Sequence, residues 1–347
     1  MSTATANFRS DNEAPVAAPI LQALADCNSG SAHAYGDDQW SQRLDAAFSA
    51  CFDTDVKVLP VATGTAANSI ALAAMSPPWG SILCHQQAHI HNDECGAPEF
   101  YSHGAKLAPL PGELGKLTAA TVQDYLAQRG AHGVHESLPS ALSLTQSCET
   151  GTVYQPDEIK ALAAVAREHQ LGVHMDGARF ANAVVSLGCH PADITWRAGV
   201  DMLSFGASKN GAMAAEALLL FGNHALWDDV ERRRKRAGHL LSKMRYLAVQ
   251  LLAYLEDDLW LKLATQANRQ ASRFAVAVEQ HPEAALAYPV QANEVFLRLA
   301  EDKLIAMQEQ GLDFHLWPGS RDLARLVFAH STTDAETDRL IDALNRV

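Results

Sequence analysis

Two kinds of hydrophobic pattern alternate along most of the chain. Short apolar runs such as KVLPVA (57–62) and SILC (81–84) are typical of buried parallel strands. They alternate with segments such as AANSIALAAM (66–75), in which apolar residues recur at helical spacing. This order predicts an α/β fold, with a mainly parallel sheet covered by helices on both faces.

The pattern also divides the chain. Residues 1–14 are polar and lack periodicity, which predicts an N-terminal arm. Residues 15–246 carry the alternating strands and helices of a large domain. From residue 247 onward the pattern changes to long helices followed by short strands, so that 247–347 predict a small C-terminal α+β domain.

Two apolar runs end close to charged residues. LGVHMDGARF (171–180) delivers Asp176, and VDMLSFGASKN (200–210) delivers Lys209 in the loop after Phe205. Ligands of open α/β sheets bind beyond the carboxyl ends of the strands, so we expect both residues in one site. This pair suits pyridoxal phosphate (PLP), with the lysine forming the Schiff base and the aspartate keeping the pyridine nitrogen protonated. The alternative is a structural ion pair.

A small-residue turn offers a site for an anion. Thr63-Gly64-Thr65 lies between a predicted strand and a predicted helix, where free backbone N–H groups and the positive end of the helix dipole meet. The chain lacks GxGxxG and GK[ST] at this place, which disfavours dinucleotides and P-loop nucleotides. A single phosphate remains the natural occupant.

Several other residues have open interpretations. His89 lies in HQQAHIHNDECGAPEF (85–100). It could lie on a helix surface, bind a metal, or stack its imidazole ring on a planar cofactor. No HExxH is present, and we expect no metal. Tyr35 could stack on a ligand or anchor its loop. The basic run 232–236 could be a solvated helix face or a phosphate clamp for a neighbouring subunit.

Composition excludes several classes of protein. The 347 residues are 48% hydrophobic, enough for a large core, and the net charge of −13 argues against a nucleic-acid or anionic-membrane surface. Six scattered cysteines show no CxxC pair, which favours reduced thiols. No signal-peptide core or membrane-length apolar segment is evident, so we expect a cytoplasmic protein.

Seven motifs in a fixed order resemble those of the low-specificity L-threonine aldolases, which are fold-type I PLP enzymes. The motifs are SDN, YGDDQW, TGTAAN, AHIHNDECGAPEF, TQSCETGTVY, HMDGARF and FGASKNGA. The resemblance implies an aspartate aminotransferase-like large domain. It also implies cleavage of threonine, and of other β-hydroxy-α-amino acids, to glycine and an aldehyde.

The resemblance assigns roles to individual residues. It gives Lys209 as the Schiff-base lysine, Asp176 as the partner of the pyridine nitrogen, and His89 as the stacked imidazole. It places a histidine near the β-hydroxyl, here His135, which we rank ahead of His89 for that contact because a stacked ring is poorly placed to reach it. The remaining matches are Gly64, Thr65 and Ser208 at the phosphate, Arg179, Arg325 and Ser10 at the substrate carboxylate, and Arg245 toward a neighbour's phosphate.

The resemblance also implies a homo-oligomer, a dimer of dimers with shared active sites, and no nucleic-acid or membrane partner. One departure is Cys148, which lies in TQSCE where many relatives have the histidine of ENTHN. It leaves the preference for the β-substituent open. The alternatives are another fold-type I reaction, such as β-elimination or transamination, and a non-catalytic PLP-binding sensor.

Overall fold

A computed structural model of the protein describes residues 5–222 and 224–347. Its strands are short, and most of them coincide with the predicted apolar runs. They are β1 (Ala6–Asn7), β2 (Val56–Val61), β3 (Ser81–His85), β4 (Lys106–Leu110), β5 (Pro139–Thr145), β6 (Gly172–Gly177), β7 (Met202–Gly206), β8 (Glu216–Phe221), β9 (Ala285–Leu286), β10 (Glu294–Arg298), β11 (Leu312–Asp313), β12 (His315–Leu316) and β13 (Leu323–Val327).

Helices connect these strands and cover the sheets. Thr118 caps one helix and Pro156 is the first residue of another, places that favour these two residue types. The helices are α1 (Ala18–Cys27), α2 (Leu44–Phe52), α3 (Gly64–Met75), α4 (His89–Asn92), α5 (Ala97–Tyr101), α6 (Ala119–Ala127), α7 (Pro156–Glu168), α8 (Phe180–Leu187), α9 (Trp227–Arg236), α10 (Arg245–Leu255), α11 (Leu259–Gln280), α12 (Glu301–Glu309) and α13 (Asp334–Arg346).

The main sheet has seven strands in the order β2-β8-β7-β6-β5-β3-β4. The pairs from β7 to β4 are parallel, whereas β8 runs antiparallel to both β7 and β2. The reversal at β8 follows from a short connection, because residues 207–215 are too few for a crossover of a dozen or more residues. The predicted α/β fold with a mainly parallel sheet is confirmed, and β5, β6 and β7 all end at one edge.

A second, four-stranded antiparallel sheet has the order β12-β13-β10-β9. Residues 1–4 of the predicted arm lie outside the described residues. The described part of the arm adds to this part of the molecule, since β1 pairs with β11 and Phe8 is buried in its core. Helix α11 contributes to both hydrophobic cores. Ala264 packs in the core of the seven-stranded sheet, whereas Ala271 packs in the core of the four-stranded sheet. The boundary expected at residue 247 lies inside α10 instead, whose buried residues pack with the large sheet. A division into two domains at residue 247 stays a prediction.

No helix in residues 5–222 or 224–347 combines the length and apolar character that a membrane crossing requires.

The last helix begins with a capping box. The hydroxyl of Thr333 accepts a hydrogen bond from the backbone N–H of Glu336 at 3.2 Å, and the Glu336 carboxylate accepts one from the backbone N–H of Thr333 at 2.8 Å. We expect Thr333→Ala to lower the free energy of unfolding by about 1 kcal/mol, measured by urea denaturation. Thr333→Ser keeps the oxygen and serves as the control. An unchanged urea midpoint for the alanine variant would show that the cap does not contribute.

Candidate active site

A cavity of about 340 Å³ lies beyond the carboxyl ends of β5, β6 and β7. Its size and position are those expected for a small-ligand site in an open α/β sheet. It brings together many of the residues that the sequence analysis selects for the cofactor and the substrate. The predicted residues in its wall are Gly64, Thr65, His89, Asp176, Arg179, Ser208 and Lys209, and the others include Asn12, Thr63, Asn68, Glu94, Ser147, Glu149, Ala178 and Glu216.

Lys209 is half-buried in a short 3-10 turn after β7 that is fixed on both sides. On one side, the Glu216 carboxylate accepts hydrogen bonds from the backbone N–H groups of Ala207 and Ser208, at 3.0 and 3.3 Å. On the other, the Asn210 side-chain amide donates to the Tyr254 hydroxyl at 2.7 Å and to the Trp260 carbonyl at 2.8 Å. Burial raises the pKa of Glu216, against the hydrogen bonds that it accepts. The lysine therefore projects from a rigid support.

Glycine is required just after the lysine. Gly211 has φ +108°, a left-handed conformation that side chains disfavour, and an added Cβ would lie 3.0 Å from the Cβ of Ala17. A similar constraint applies to Gly206, where an added Cβ would lie 2.5 Å from the carbonyl oxygen of Ala178. The loops after β6 and β7 consequently approach each other closely, which brings Asp176 and Lys209 to the same cavity.

Asp176 is 4% exposed and accepts two hydrogen bonds. One comes from the backbone N–H of Ala178 at 3.0 Å, and the other from the side-chain amide of Asn68 at 2.9 Å. The same amide nitrogen of Asn68 donates to Glu94, also at 2.9 Å. Asn68 thus links the two carboxylates. The aspartate is held in one orientation at the cavity wall.

His89 begins α4 and is oriented by Glu94. Its Nδ1 atom lies 3.0 Å from Oε1 of Glu94, and this hydrogen bond raises the pKa of His89 against the opposing effect of burial. His89, Glu94 and Asp176 bring ligand-type atoms within 4.8 Å of one another. These atoms are already joined through Asn68 and the His89–Glu94 bond, so the group is best described as a hydrogen-bonded network.

The turn at Thr63 has the features of an anion site. Thr63 caps α3 by accepting a hydrogen bond from the backbone N–H of Ala66 at 3.2 Å, which leaves the N–H groups of the helix start facing the cavity. No atom lies within 4 Å of where a Cβ of Gly64 would be, so a ligand can approach the backbone there. Ser208 adds a hydroxyl from the neighbouring turn. A phosphate group fits this donor set.

Arg179 lies at another wall, between two buried carboxylates. Asp11 accepts two hydrogen bonds from it, at 2.7 and 2.9 Å, and Glu294 lies 3.4 Å from its Nη1. Burial alone would lower the pKa of Arg179, but the charges of Asp11 and Glu294 outweigh it and raise the pKa. The guanidinium group is therefore always charged and held in one plane, with N–H groups left for a ligand.

Arg325 and Ser10 lie near this group without lining the cavity. Arg325, on β13, has its Nη1 3.9 Å from the other oxygen of Glu294, so that Glu294 lies between the two arginines. Ser10 caps the short turn that contains Asp11 by accepting from the backbone N–H of Asn12 at 3.2 Å. Their expected contact with a substrate carboxylate stays a prediction.

Two further candidates lie away from the cavity of their own chain. Tyr35 is 52% exposed, and the ammonium group of Lys235 lies 4.8 Å from its ring centre. Arg245 donates to the carbonyl oxygen of Gly30 and to the hydroxyl of Tyr246, both at 3.1 Å. A role for Tyr35 at the substrate is not supported within one chain, because Tyr35 does not line the cavity. The role expected for Arg245 concerns a neighbouring subunit and stays a prediction.

His135 lies away from the cavity of its own chain. It is exposed in the turn Gly133–His135, which precedes β5, whereas the cavity lies beyond the other end of that strand, at Thr145. A strand of seven residues spans roughly 20 Å. Within one chain His135 therefore lies at the opposite edge of the sheet, and its expected contact with a β-hydroxyl stays a prediction.

Sequence reasoning missed several polar residues of the wall. Asn68 lies one turn inside α3, and Glu94 and Glu149 lie inside recognised motifs without an assigned role. The available signal for Asn68 was its place on the same helix face as the turn at Gly64 and Thr65, four residues earlier. Glu216 interrupts the start of an apolar strand, and a charge in such a run indicates a buried partner.

Comparison with known proteins identifies the family. A family model described as beta-eliminating lyase matches residues 7–302. The chain belongs to the beta-eliminating lyase family. Among other members, it is 46% identical to a low specificity L-threonine aldolase of Pseudomonas aeruginosa over 92% of this chain and 91% of that relative. It is 42% identical to a protein of the same name from a Pseudomonas strain, over 98% of this chain and 97% of that relative.

A solved structure agrees with this membership of the beta-eliminating lyase family. The threonine aldolase of Leishmania major superposes with a TM-score of 0.90 at 28% identity, covering 98% of both chains. The expected family and the fold-type I architecture are both confirmed, and with them the prediction of an enzyme.

Proposed function

We propose that this protein is a PLP-dependent aldolase that cleaves L-threonine and L-allo-threonine, and other β-hydroxy-α-amino acids, to glycine and an aldehyde. One observation supports this proposal most strongly. Lys209, Asp176 and an anion site at the start of α3 surround a single cavity, in a chain whose relatives are named low specificity L-threonine aldolases.

The cavity fits the cofactor. Lys209 would hold PLP covalently, Asp176 would bind the pyridine nitrogen, and Thr65, Ser208 and the start of α3 would bind the phosphate. The hydroxyl of Ser147 is buried without a hydrogen-bond partner in residues 5–222 and 224–347, which indicates that a polar ligand belongs beside it. When bound, PLP supplies an electron sink for the pair released at the substrate Cα.

The protein supplies orientation and charge. Arg179, fixed by Asp11, would bind the substrate carboxylate, with Arg325 and Ser10 supporting it from the small sheet and the arm. Binding the carboxylate in a fixed position determines which bond at Cα is aligned for cleavage, which is an orientation effect. His89, anchored by Glu94, would form the wall over the cofactor.

The first test combines a spectrum with product analysis. We expect the purified protein with PLP to show a visible absorption band and to release equal amounts of acetaldehyde and glycine from L-threonine. Release of 2-oxobutyrate and ammonia would identify β-elimination, and formation of a keto acid from the amino acid with amino-group transfer would identify transamination. A band without any turnover would identify a ligand sensor.

The carboxylate contact leads to a specific prediction. Arg179→Lys cannot reproduce the two-pronged pairing with Asp11, so we expect the KM for L-threonine to rise roughly tenfold or more, with the cofactor band retained. Steady-state kinetics would measure this change. Arg197→Lys, in an exposed ion pair with Asp53, is the matched control. A normal KM in the Arg179 variant would exclude this contact.

We further propose that the protein forms a homo-oligomer in which neighbouring chains complete each site. Arg245 and the basic helix α9 are the residues expected to face a neighbour. The cytoplasmic location stays a prediction from the sequence.

A further inference from the structure

Glu149 occupies a well-defined place in the wall of the cavity. It lies in the loop after β5, which is tied to the sheet because the backbone N–H of Gln146 donates to the Asp176 carbonyl at 2.8 Å. Oε1 of Glu149 accepts a hydrogen bond from the backbone N–H of His89 at 2.8 Å. Oε2 is buried and has no hydrogen-bond partner in residues 5–222 and 224–347. One oxygen of this cavity-lining residue is thus anchored, and the other is a buried acceptor without a partner in the described residues.

The surroundings of Glu149 favour its neutral form. Burial raises the pKa of Glu149 to about 7, and the nearby charge of Asp176 adds to that rise. Hydrogen bonds from the backbone N–H groups of Glu149 and His89 and from the Thr145 hydroxyl oppose it. The other titratable groups that interact with Glu149 are the thiols of Cys84 and Cys148 and the phenol of Tyr154. A carboxyl group that titrates near neutral pH suits general acid–base catalysis.

Other acid–base candidates differ from Glu149 in their hydrogen bonds. Nδ1 of His89 is bound by Oε1 of Glu94, which also accepts from Asn68. Oε2 of Glu94 is buried without a partner in the described residues, like that of Glu149, but both bonds to Glu94 come from side chains and not from the backbone. Both oxygens of Glu216 receive backbone N–H groups of the lysine turn. His135 lies at the opposite edge of the sheet. Glu149 is the carboxyl group in the described wall that combines a backbone anchor with a free oxygen and a pKa near neutrality.

We propose that Glu149 is a catalytic residue that accepts the proton of the substrate β-hydroxyl. The O–H bond breaks as its proton passes to the carboxylate, a C=O bond forms at Cβ, and the Cα–Cβ bond breaks with its electron pair left at Cα. A proton then adds to Cα to give glycine, and Glu149 releases the proton that it accepted to solvent. The reaction therefore gains and loses no net proton. This role rests on the proposed aldol cleavage.

The deciding experiment compares two reactions of one variant. Glu149→Gln should lower kcat for L-threonine cleavage by roughly a hundredfold or more. In the same variant, exchange of the α-proton of glycine in D2O, followed by NMR, should stay within roughly threefold of the wild type because glycine has no β-hydroxyl. Glu113→Gln, on an exposed turn, is the matched control.

The pH profile and infrared spectra give readouts that a structural role would not move. Glu149 must be ionised to accept a proton, so kcat/KM of the wild type should fall as the pH drops below about 7, the pKa of Glu149. The Glu149→Gln variant should not show this fall in kcat/KM at acidic pH. A carboxylic acid band that disappears near this pH in wild-type difference spectra should be missing in Glu149→Gln.

Other outcomes would overturn the role. Normal cleavage in Glu149→Gln would exclude it, and an equal fall in cleavage and glycine exchange, or loss of the cofactor band, would show that Glu149 only supports the cofactor. Failure of the proposed function gives a different result, because the wild type itself would then release no aldehyde from L-threonine. The proposed role of Glu149 would be excluded together with the aldolase activity.

Discussion

Replacing Lys209 by alanine is expected to remove the covalent attachment of PLP and to lower threonine cleavage by roughly three orders of magnitude or more, about 4 kcal/mol of activation free energy. Lys209 projects from a turn that Glu216 and Asn210 fix from both sides. Loss of the side chain should therefore leave the turn in place. Borohydride reduction followed by peptide mass spectrometry should label the Lys209 peptide in the wild type and no peptide in the variant.

Two further variants make this result specific. Lys209→Arg keeps a positive charge but cannot condense with an aldehyde, so we expect it to behave like the alanine variant in the labelling experiment. Lys262→Ala, at an exposed position of α11, should remain fully labelled and active. Label on another lysine in the wild type would assign the cofactor to a different residue and refute the role of Lys209.

The residues that could be predicted from sequence are those whose positions follow from the local geometry of the chain. Asp176 and Lys209 follow apolar runs, and the ends of neighbouring parallel strands meet at one edge whatever the rest of the fold does. Gly64 and Thr65 were predictable for a similar reason, because a strand followed by a helix start always exposes backbone N–H groups.

The residues that orient these groups were not predictable, because their partners are distant in sequence. Asn68 bonds to Asp176 across 108 positions, and Asp11 bonds to Arg179 across 168. Neither pair leaves a periodic pattern. Glu294, the first residue of β10, likewise separates Arg179 from Arg325 through contacts between segments that are distant in sequence.

His135 lies far from the cavity of its own chain, so the role that its motif position implies stays a prediction. The direction of β5, which follows His135, places the preceding loop away from the carboxyl edge of the sheet. For the boundary between the two cores, the hydrophobic pattern is uninformative because α11 is continuous and buries one end in each core.

Replacing Asp176 by asparagine is expected to lower kcat by roughly two to three orders of magnitude while the cofactor remains bound. A neutral amide cannot stabilise a positive charge on the pyridine nitrogen, so the electron pair released at Cα is accommodated less well. Steady-state kinetics and the visible spectrum would measure both effects. A nearly normal kcat would exclude Asp176 as the charged partner of the ring.

The Asp176 variant also changes a hydrogen bond, and a second variant separates that effect from the loss of charge. The Asn68 amide donates to both Asp176 and Glu94, so an amide at position 176 would place two NH2 groups face to face or force Asn68 to turn its oxygen toward Glu94. Asn68→Ala removes this bridge but leaves the Asp176 charge and its bond from Ala178 intact. We expect it to lose much less activity than Asp176→Asn. Equal losses in the two variants would assign the effect to the network around His89 and Glu94, and the negative charge of Asp176 would not be the source of the rate enhancement.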